Sequence, residues 1–565
     1  MKKKSTAQYI FLAALSLVVI NYVISFFNFN IDLTKEKRFT LSQPTRQLLM
    51  SLEEPVEVTV LLKGEFPAGF KKLANSTTAL LRDFKQHGRA NFQFRFLSPA
   101  EDLNDSTRVA FIDSLAWLGL QPTNVKAQTK KGEGEENRLV FPGAVIRYKD
   151  RVIAVDLLEG QSSLEGVNAL NNAEALLEFK FANAIQKIIR EEVPAIAYAI
   201  GHGQSLDYNM KSLFDALKSD YYVDTVNIRT QPFIPQDFQA VLIIKPVEEF
   251  TESDKLKIDQ YIMRGGKVMW MIDNLYAELD SLQRAQSDFV AFDRGLNLTD
   301  LLFKYGVRIN PDLVQDLQSD QVPIVIGTMG GKAQIQPIPF PYFVQLNGAV
   351  DHPVSRNLDK ILSYFPSSID TVGAQGIKKT VILHTSVNAR RLSTPAMVSL
   401  NSLKTEEDLN TFREQNIPVG VLLEGRFNSL FANRISRAAA DSLSAMGLPF
   451  RSAADTPTAM VVIADGDIAQ NQVSRNEGPL PMGMNPYTRY PFANKEFVMN
   501  TIEYLVGNTG ILETRSKDYT LRLLNKKKIE EEKTGWQLLN ILAPVLLITL
   551  AGGIFQFVRK QKYQH

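Results

Sequence analysis

Apolar and polar positions alternate in short runs along most of the chain, but two runs carry no charge at all. Residues 9–31 and 536–558 contain no Asp, Glu, Lys or Arg. At 1.5 Å per helical residue each run crosses a hydrocarbon core of about 30 Å, which predicts two transmembrane helices. The first run leaves through Ser25-Phe26-Phe27-Asn28-Phe29, with no small-residue cleavage pattern, so an uncleaved anchor is expected rather than a signal peptide. Lys and Arg flank both runs on both sides, and long domains translocate with little regard to charge. The short basic tails, residues 1–8 and 559–565, therefore set the expected orientation. Both termini are cytoplasmic, and a body of residues 32–533 stands on the periplasmic side of the inner membrane.

Within the body the pattern switches between a period of two and a helical period. Ser42 as N-cap with Pro44 in the first turn predicts a helix through Leu49. Val56, Val58 and Val60 alternate with Glu57 and Thr59 as a strand, a helix covers 79–84, and Phe92, Phe94 and Phe96 mark a second strand, a β-α-β start. A second helix ends near 117–121, 130–137 reads as a charged loop, and 144–148 with 151–157 reads as a hairpin turning at Lys149-Asp150. These make an N-terminal α/β domain over residues 32–165.

A helix at 174–189 keeps Leu177, Phe181, Ile185 and Ile188 on one face. Strands at 195–200, 223–228, 240–244 and 267–272 then alternate with helices at 210–217 and 254–263. The pattern resumes with strands at 380–385, 419–423 and 460–464 and closes on a helix at 494–505. This rhythm predicts a doubly wound α/β domain, residues 166–510, with a parallel sheet covered on both faces and an insertion of mixed structure near 290–375. Residues 511–533 read as a charged stalk, with Lys526/Glu530, Lys527/Glu531 and Lys528/Glu532 at i,i+4.

Composition narrows the chemistry. A formal charge of +2 over 565 residues offers no basic face for nucleic acid. The chain has no cysteine, which removes disulfides, thiolate metal sites and every cysteine nucleophile. Its five histidines, His87, His202, His352, His384 and His565, are scattered, so no metal and no cofactor is expected. In an open parallel sheet ligands bind at the carboxyl ends of strands, and three such ends are polar: Gly201-His202-Gly203-Gln204-Ser205, Asp273-Asn274 and Asp465-Gly466-Asp467. The first lacks the third glycine of a dinucleotide fingerprint, Leu206 standing in its place. Gly331-Lys332 lacks the leading glycine and the Ser/Thr of a phosphate loop. Gly201, His202, Gly203, Gln204, Asp273, Asp465 and Asp467 are thus the candidate ligand or partner site, the competing view being that glycines and carboxylates there only form turns. Asn21 in the first apolar run and Asn540, Gly552 and Gly553 in the second are candidates for a membrane-helix interface.

Several ordered motifs carry a resemblance: Arg38-Phe39-Thr40-Leu41-Ser42, Gly201-His202-Gly203-Gln204, Tyr261-Ile262-Met263-Arg264-Gly265-Gly266-Lys267, Leu422-Leu423-Glu424-Gly425-Arg426-Phe427, Gly466-Asp467-Ile468-Ala469-Gln470-Asn471-Gln472 and Asn494-Lys495-Glu496-Phe497. With Trp536 and Asn540 they resemble, nearly end to end, the gliding-motility-associated ABC transporter auxiliary ("substrate-binding") protein, GldG type, of Bacteroidota. The resemblance implies a non-enzymatic subunit working with a membrane ABC permease and a cytoplasmic ATPase. It also implies a central domain like the class I glutamine-amidotransferase fold without its nucleophile. A solute receptor using His202, Asp273 and Asp467 is the alternative. A hydrolase using His202 with Asp273 or Asp467 is a remoter one, without a G-x-S-x-G elbow.

Overall fold

The computed structural model describes residues 15–16, 40–64, 66–99, 105–120, 122–128, 135–158, 170, 173–278, 288–329, 332–356, 358–400, 406–507, 509–512, 514 and 526–563. The first predicted span lies outside the described residues except for Leu15 and Ser16, which are helical, and Asn21 and Gly331 lie outside them as well. Residues up to Lys517 form one compact unit, and those from Asp518 a second.

The first unit opens on helix α1 (Gln43–Met50). The Ser42 hydroxyl accepts from the Thr45 amide at 3.3 Å, and Pro44, which has no amide to satisfy, sits in the first turn. Strand β1 (Val56–Val60), helix α2 (Ala68–Gly88) and strand β2 (Phe92–Phe96) form the expected parallel β-α-β unit. Helix α3 (Asp105–Trp117) leads into β3 (Thr123–Gln128) and β4 (Glu135–Val140), which pair as an antiparallel ribbon. The charged stretch read as a loop is therefore strand from Glu135 onward; backbone pairing in a two-stranded ribbon does not require apolar side chains. The hairpin β5 (Gly143–Tyr148) and β6 (Arg151–Asp156) completes a four-stranded sheet in the order β2-β1-β5-β6. Its turn residue Lys149 has φ +51°.

Helix α4 (Leu177–Ile189) joins this sheet to a ten-stranded one. Strand β7 (Ala195–Ile200), helix α5 (Lys211–Asp220), β8 (Tyr222–Asn227), β9 (Ala240–Ile244), helix α6 (Glu252–Met263) and β10 (Val268–Met271) follow in the anticipated rhythm. The chain then makes an excursion. It runs through β11 (Asp288–Ala291), helix α7 (Thr299–Tyr305), β12 (Val307–Ile309), β13 (Asp312–Asp316), the long hairpin β14 (Ser319–Met329) and β15 (Lys332–Gly348), β16 (Ile361–Tyr364) and β17 (Ile369–Thr371). The remaining elements are β18 (Ile377–His384), β19 (Ala389–Ser393), β20 (Ala396–Ser399), β21 (Pro418–Gly425), β22 (Thr458–Ile463) and helix α8 (Asn494–Val506). The sheet order is β14-β15-β18-β21-β22-β10-β9-β7-β8, with β16 beside β15.

Only β22, β10, β9, β7 and β8 run parallel; β21, β18, β15 and β14 continue the sheet antiparallel. A fully parallel sheet was the expectation, and burial explains the difference. Val421, Leu422 and Leu423 of β21 are all buried, so an antiparallel strand covered on both faces reads like a parallel one. The double covering itself holds. Tyr198, Leu242, Ile244 and Met269 pack with Phe181 and Ile185 of α4, Leu213 of α5 and Phe497 and Ile502 of α8. Ala199, Val241, Ile243 and Trp270 pack on the other face with Ile258 and Ile262 of α6 and Leu301 and Tyr305 of α7. Val58 and Phe92 of the small sheet and Phe84 of α2 belong to the first of these cores.

The excursion near 290–375 combines helix α7 with strands, the strands predominating, and an aromatic core forms there from Phe340, Tyr342, Phe343, Tyr364 and Phe365. In its hairpin Pro323 stands opposite Pro337, and Gln321 opposite Pro339.

The second unit is one helix, α9 (Lys526–Tyr563), 38 residues long and so about 57 Å from end to end. Its charged first turns and its apolar run are continuous, and residues Glu532–Lys562 are long and apolar enough to cross a membrane. Pro544 lies within it and brings no amide to the carbonyl of Asn540, four residues back. Asn540 and Gly552, twelve residues apart, lie roughly 120° from one another around the axis, so they do not share one helix face.

Candidate functional site

Three neighbouring parallel strands end at one level. The register sets Met271 of β10 beside both Ile463 of β22 and Ile244 of β9. The polar residues that follow, Asp273, Asp465-Gly466-Asp467 and Lys245, therefore leave the sheet together. One oxygen from each of Asp273, Asp465 and Asp467 lies within 4.8 Å of the others. Two of the three polar strand ends picked out from the sequence are thus one constellation.

Its cation is a side chain. Lys245 Nζ stands 3.1 Å from Asp273 Oδ2 and hydrogen-bonds Asp467 Oδ1. The Gly466 amide donates to Asp273 Oδ1 at 2.5 Å, and the Asp467 amide to Asp465 Oδ1 at 2.7 Å. Asp465 Oδ2 accepts from the Ser363 hydroxyl and from the Tyr364 amide at 2.9 Å, which ties the end of β22 to β16. Asp465 is only 1% exposed. Burial, reinforced by Asp467 and Asp273, holds its carboxyl well above the usual carboxylate range. Burial also lifts Asp467, to about 6, against the pull of Lys245. For Lys245 burial works against the charge, but Asp273 and Asp467 outweigh it, and its pKa is raised.

Three clustered carboxylates are a donor set for a hard divalent cation. Here the Lys245 ammonium stands among them as a tethered monocation. Lys245 was not legible from sequence as a member of the site, nor were Ser363 and Tyr364. The available signal was a lysine ending an otherwise apolar strand ahead of Pro246. The structure adds that Lys245 has φ +45°, a left-handed backbone uncommon for a side-chain-bearing residue.

Gly466 makes room for it. A Cβ at this position would lie 2.6 Å from Lys245 Cβ and 3.0 Å from its Cα. Gly466→Ala is therefore expected to displace Lys245 and to cost about 1–3 kcal/mol, read as a lower midpoint of thermal unfolding. An unchanged midpoint would show that Lys245 is not held in place by this contact.

The third strand end is different. Gly201 (φ +108°) and Gly203 (φ +75°) turn the chain after β7, and His202 between them is fully buried. Its ring stacks on Phe250 at 3.7 Å and 10°, and Nε2 lies 3.3 Å from Asp254 Oδ2. Asp254 in turn closes the capping box of α6 with Thr251. The His202 amide donates to Gln204 Oε1 at 2.8 Å, and its carbonyl accepts from the Val247 amide at 2.8 Å. Burial lowers the imidazole pKa, so the ring is neutral. In Asp254 burial raises the pKa, but hydrogen bonds from Thr251 and His202 outweigh it and the net shift is downward. The hydrogen bonds and ring contact of His202 are thus to Gln204, Asp254, Val247 and Phe250, whereas Asp273, Asp465 and Asp467 meet at Lys245.

Clefts lie elsewhere. A groove of about 850 Å³ is lined by Val152 and Ala154 of β6, Lys180 of α4, Asp215 of α5, Pro481 and Glu496. A slot of about 160 Å³ lies between Leu256 and Tyr261 of α6 and Leu443 and Met446. Neither is lined by the carboxylate cluster.

The sequence model of a family described as ABC-type uncharacterized transport system matches residues 193–501, more than half of the chain and the whole span from β7 into α8. A model for a domain of unknown function matches residues 35–147. An uncharacterized protein of Borreliella burgdorferi (strain B31) is 22% identical over 424 residues, covering 73% of this chain and 76% of that one. Among solved structures, the mmIFT52 N-terminal domain aligns with a TM-score of 0.29 at 13% identity over 55% of this chain and 97% of that one. The exo-beta-1,4-mannosidase Op5Man5 from Opitutaceae bacterium strain TAV5 aligns with a TM-score of 0.19 at 12% identity over 76% of this chain and 51% of that one. Neither superposition is close enough to bear on the fold.

Proposed function

This chain belongs to the ABC-type uncharacterized transport system family, and from that premise we propose that it is a non-enzymatic, membrane-anchored auxiliary subunit of such a system. One observation carries the reading. At the carboxyl edge of the parallel strands, where an open α/β sheet would receive a ligand, Lys245 is already paired with both Asp273 and Asp467, and Asp465 is engaged by Ser363 and Tyr364. A strand edge closed by its own ion pairs suits a scaffold more than a catalyst, and a chain without cysteine has no amidotransferase nucleophile.

In the fuller form of the proposal, helices at 9–31 and 536–558 both cross the inner membrane and the amidotransferase-like body is periplasmic. The partners are an ABC permease and, through it, a cytoplasmic ATPase, and the complex serves gliding motility. The apolar stretch of α9 and the family membership support membrane association.

Because the chain lacks cysteine, single-cysteine labelling has no background. Asp150→Cys, at the exposed β5–β6 turn, should react with a membrane-impermeant maleimide on cells with permeabilised outer membranes. Gln561→Cys should react only after lysis. Affinity purification of the full chain from native membranes in mild detergent should bring down a polytopic permease and an ABC ATPase. Recovery of a stable, partner-free chain, or labelling in the reverse order, would overturn the reading.

A further inference from the structure

The short sheet formed by β11 and β20 leaves an apolar patch open to solvent. Its register pairs Val290 with Met397, and these are 50% and 66% exposed. Phe292, two residues after Val290, is 52% exposed and stacks on Tyr276 at 5.4 Å and 16°. The Tyr276 amide donates to the Phe292 carbonyl at 2.7 Å, and Arg294 lies over the Tyr276 ring at 5.1 Å. Two aromatic rings, a methionine and a valine are thus held side by side by backbone pairing. Large exposed apolar groups gathered in one place mark interaction sites, whereas scattered ones do not.

The charges around the patch say what it would accept. Residues 274–278, 288–294 and 394–400, which build it, carry Glu278, Asp288, Asp293 and Arg294 as their charged groups. Arg294 is engaged by Glu278 at 2.9 Å and by the Leu275 carbonyl at 3.3 Å. That leaves Asp288 and Asp293, both exposed, at either end of the Val290–Phe292 stretch without a cationic partner among the described residues. An aromatic and methionine centre with a carboxylate rim complements an apolar segment flanked by lysine or arginine, and such charges set register and speed encounter.

We propose that Tyr276, Val290, Phe292 and Met397, edged by Asp288 and Asp293, form the docking face for a cationic apolar segment of a partner polypeptide. The inference rests on the auxiliary-subunit reading and names a surface of the body that the partner grips. Arg294 and Tyr276 pre-stack Phe292, so its ring is held ready and little side-chain entropy is lost on binding. Methionine at the facing position adapts to the shape of what arrives.

The test is photocrosslinking in the full chain, in native membranes. Benzoylphenylalanine in place of Met397 should give an adduct whose cross-linked peptide, located by mass spectrometry, carries Lys or Arg beside apolar residues. Asp288→Lys combined with Asp293→Lys should lower the adduct yield at least about fivefold at low salt. The same probe at Leu546, in the apolar part of α9, reports on the auxiliary-subunit reading separately. An adduct with a membrane subunit from Leu546 but none from Met397 would overturn the docking face and leave the reading intact. Failure at both positions would overturn both. A Met397 adduct with lipid, with a second copy of this chain, or with a neutral or acidic segment would also overturn the docking face.

Discussion

Lys245→Met is expected to lower the stability of the body by about 3–5 kcal/mol near neutral pH, the usual cost of leaving one side of a buried ion pair uncompensated. The apolar stem is nearly conserved, so the loss is electrostatic rather than a packing defect. Asp273 and Asp467 would face one another without the ammonium now 3.1 Å from the first and hydrogen-bonded to the second. The effect has a definite pH sign. In the native protein Asp467 titrates near 6, above its ordinary 3.8, so the folded state binds that proton more tightly than the unfolded one. Its contribution to stability is full below about pH 4 and is lost as pH rises through 6. Without Lys245 the Asp467 carboxyl rises further, and acidification should restore more stability to the variant than to the native chain. Thermal unfolding of the detergent-solubilised full chain should show the largest deficit at pH 8 and a smaller one at pH 5. Asp467→Asn should be milder, since Lys245 and Asp273 remain paired. A deficit independent of pH would show that the cluster is not what the lysine stabilises.

His202→Ala is expected to cost about 2–4 kcal/mol, a core effect and not a surface one. The substitution empties the space against Phe250 and strips Asp254 of a partner at the start of α6. If His202 were a solvated turn residue, as its flanking glycines imply when read alone, the change would fall within about 0.5 kcal/mol. The groups facing the ring are Asp254, Arg229 and Glu248; burial, with Arg229 acting the same way, outweighs the two carboxylates and lowers its pKa. A buried neutral imidazole contributes stability that is present above its ordinary pKa of 6.5 and is lost as pH falls below it. The alanine variant lacks that dependence, so the gap between the two proteins should narrow toward pH 5. Partner recovery per folded molecule should be unchanged. Native stability with lost partner recovery would make His202 a contact residue after all.

These two positions show where the sequence was readable and where it was not. Strands β1, β2, β7, β9 and β10 and helices α4 and α8 announce themselves because their apolar periods are uninterrupted, and helices α1 and α6 because their caps are local: Ser42 and Thr251 sit within three residues of the amides they serve. Strand direction is not encoded this way, so the antiparallel half of the large sheet was hidden. Register is not encoded either. Asp273 and Asp465 are recognisable as strand ends one at a time, but their meeting with Lys245 depends on Met271 lying level with Ile244 and Ile463. The burial of His202 is not legible for a related reason, since it is decided by Phe250 and Asp254, the latter 52 residues away.

The prolines of the β14–β15 hairpin bear on how the protein tolerates crowding. Residues directly opposite in an antiparallel pair either exchange both amide hydrogen bonds or point both amides outward. Pro323 and Pro337 have no amide to exchange, so theirs is an outward-pointing pair, and both edges of the hairpin lack a donor at that level. Pro339, opposite Gln321, removes a further one. Between Asp320 and Asp351 the sequence carries a single charged residue, Lys332, the kind of stretch whose edges would otherwise recruit another strand. The edges of this hairpin therefore offer another strand an interrupted row of donors, which disfavours edge-to-edge pairing between copies of the chain.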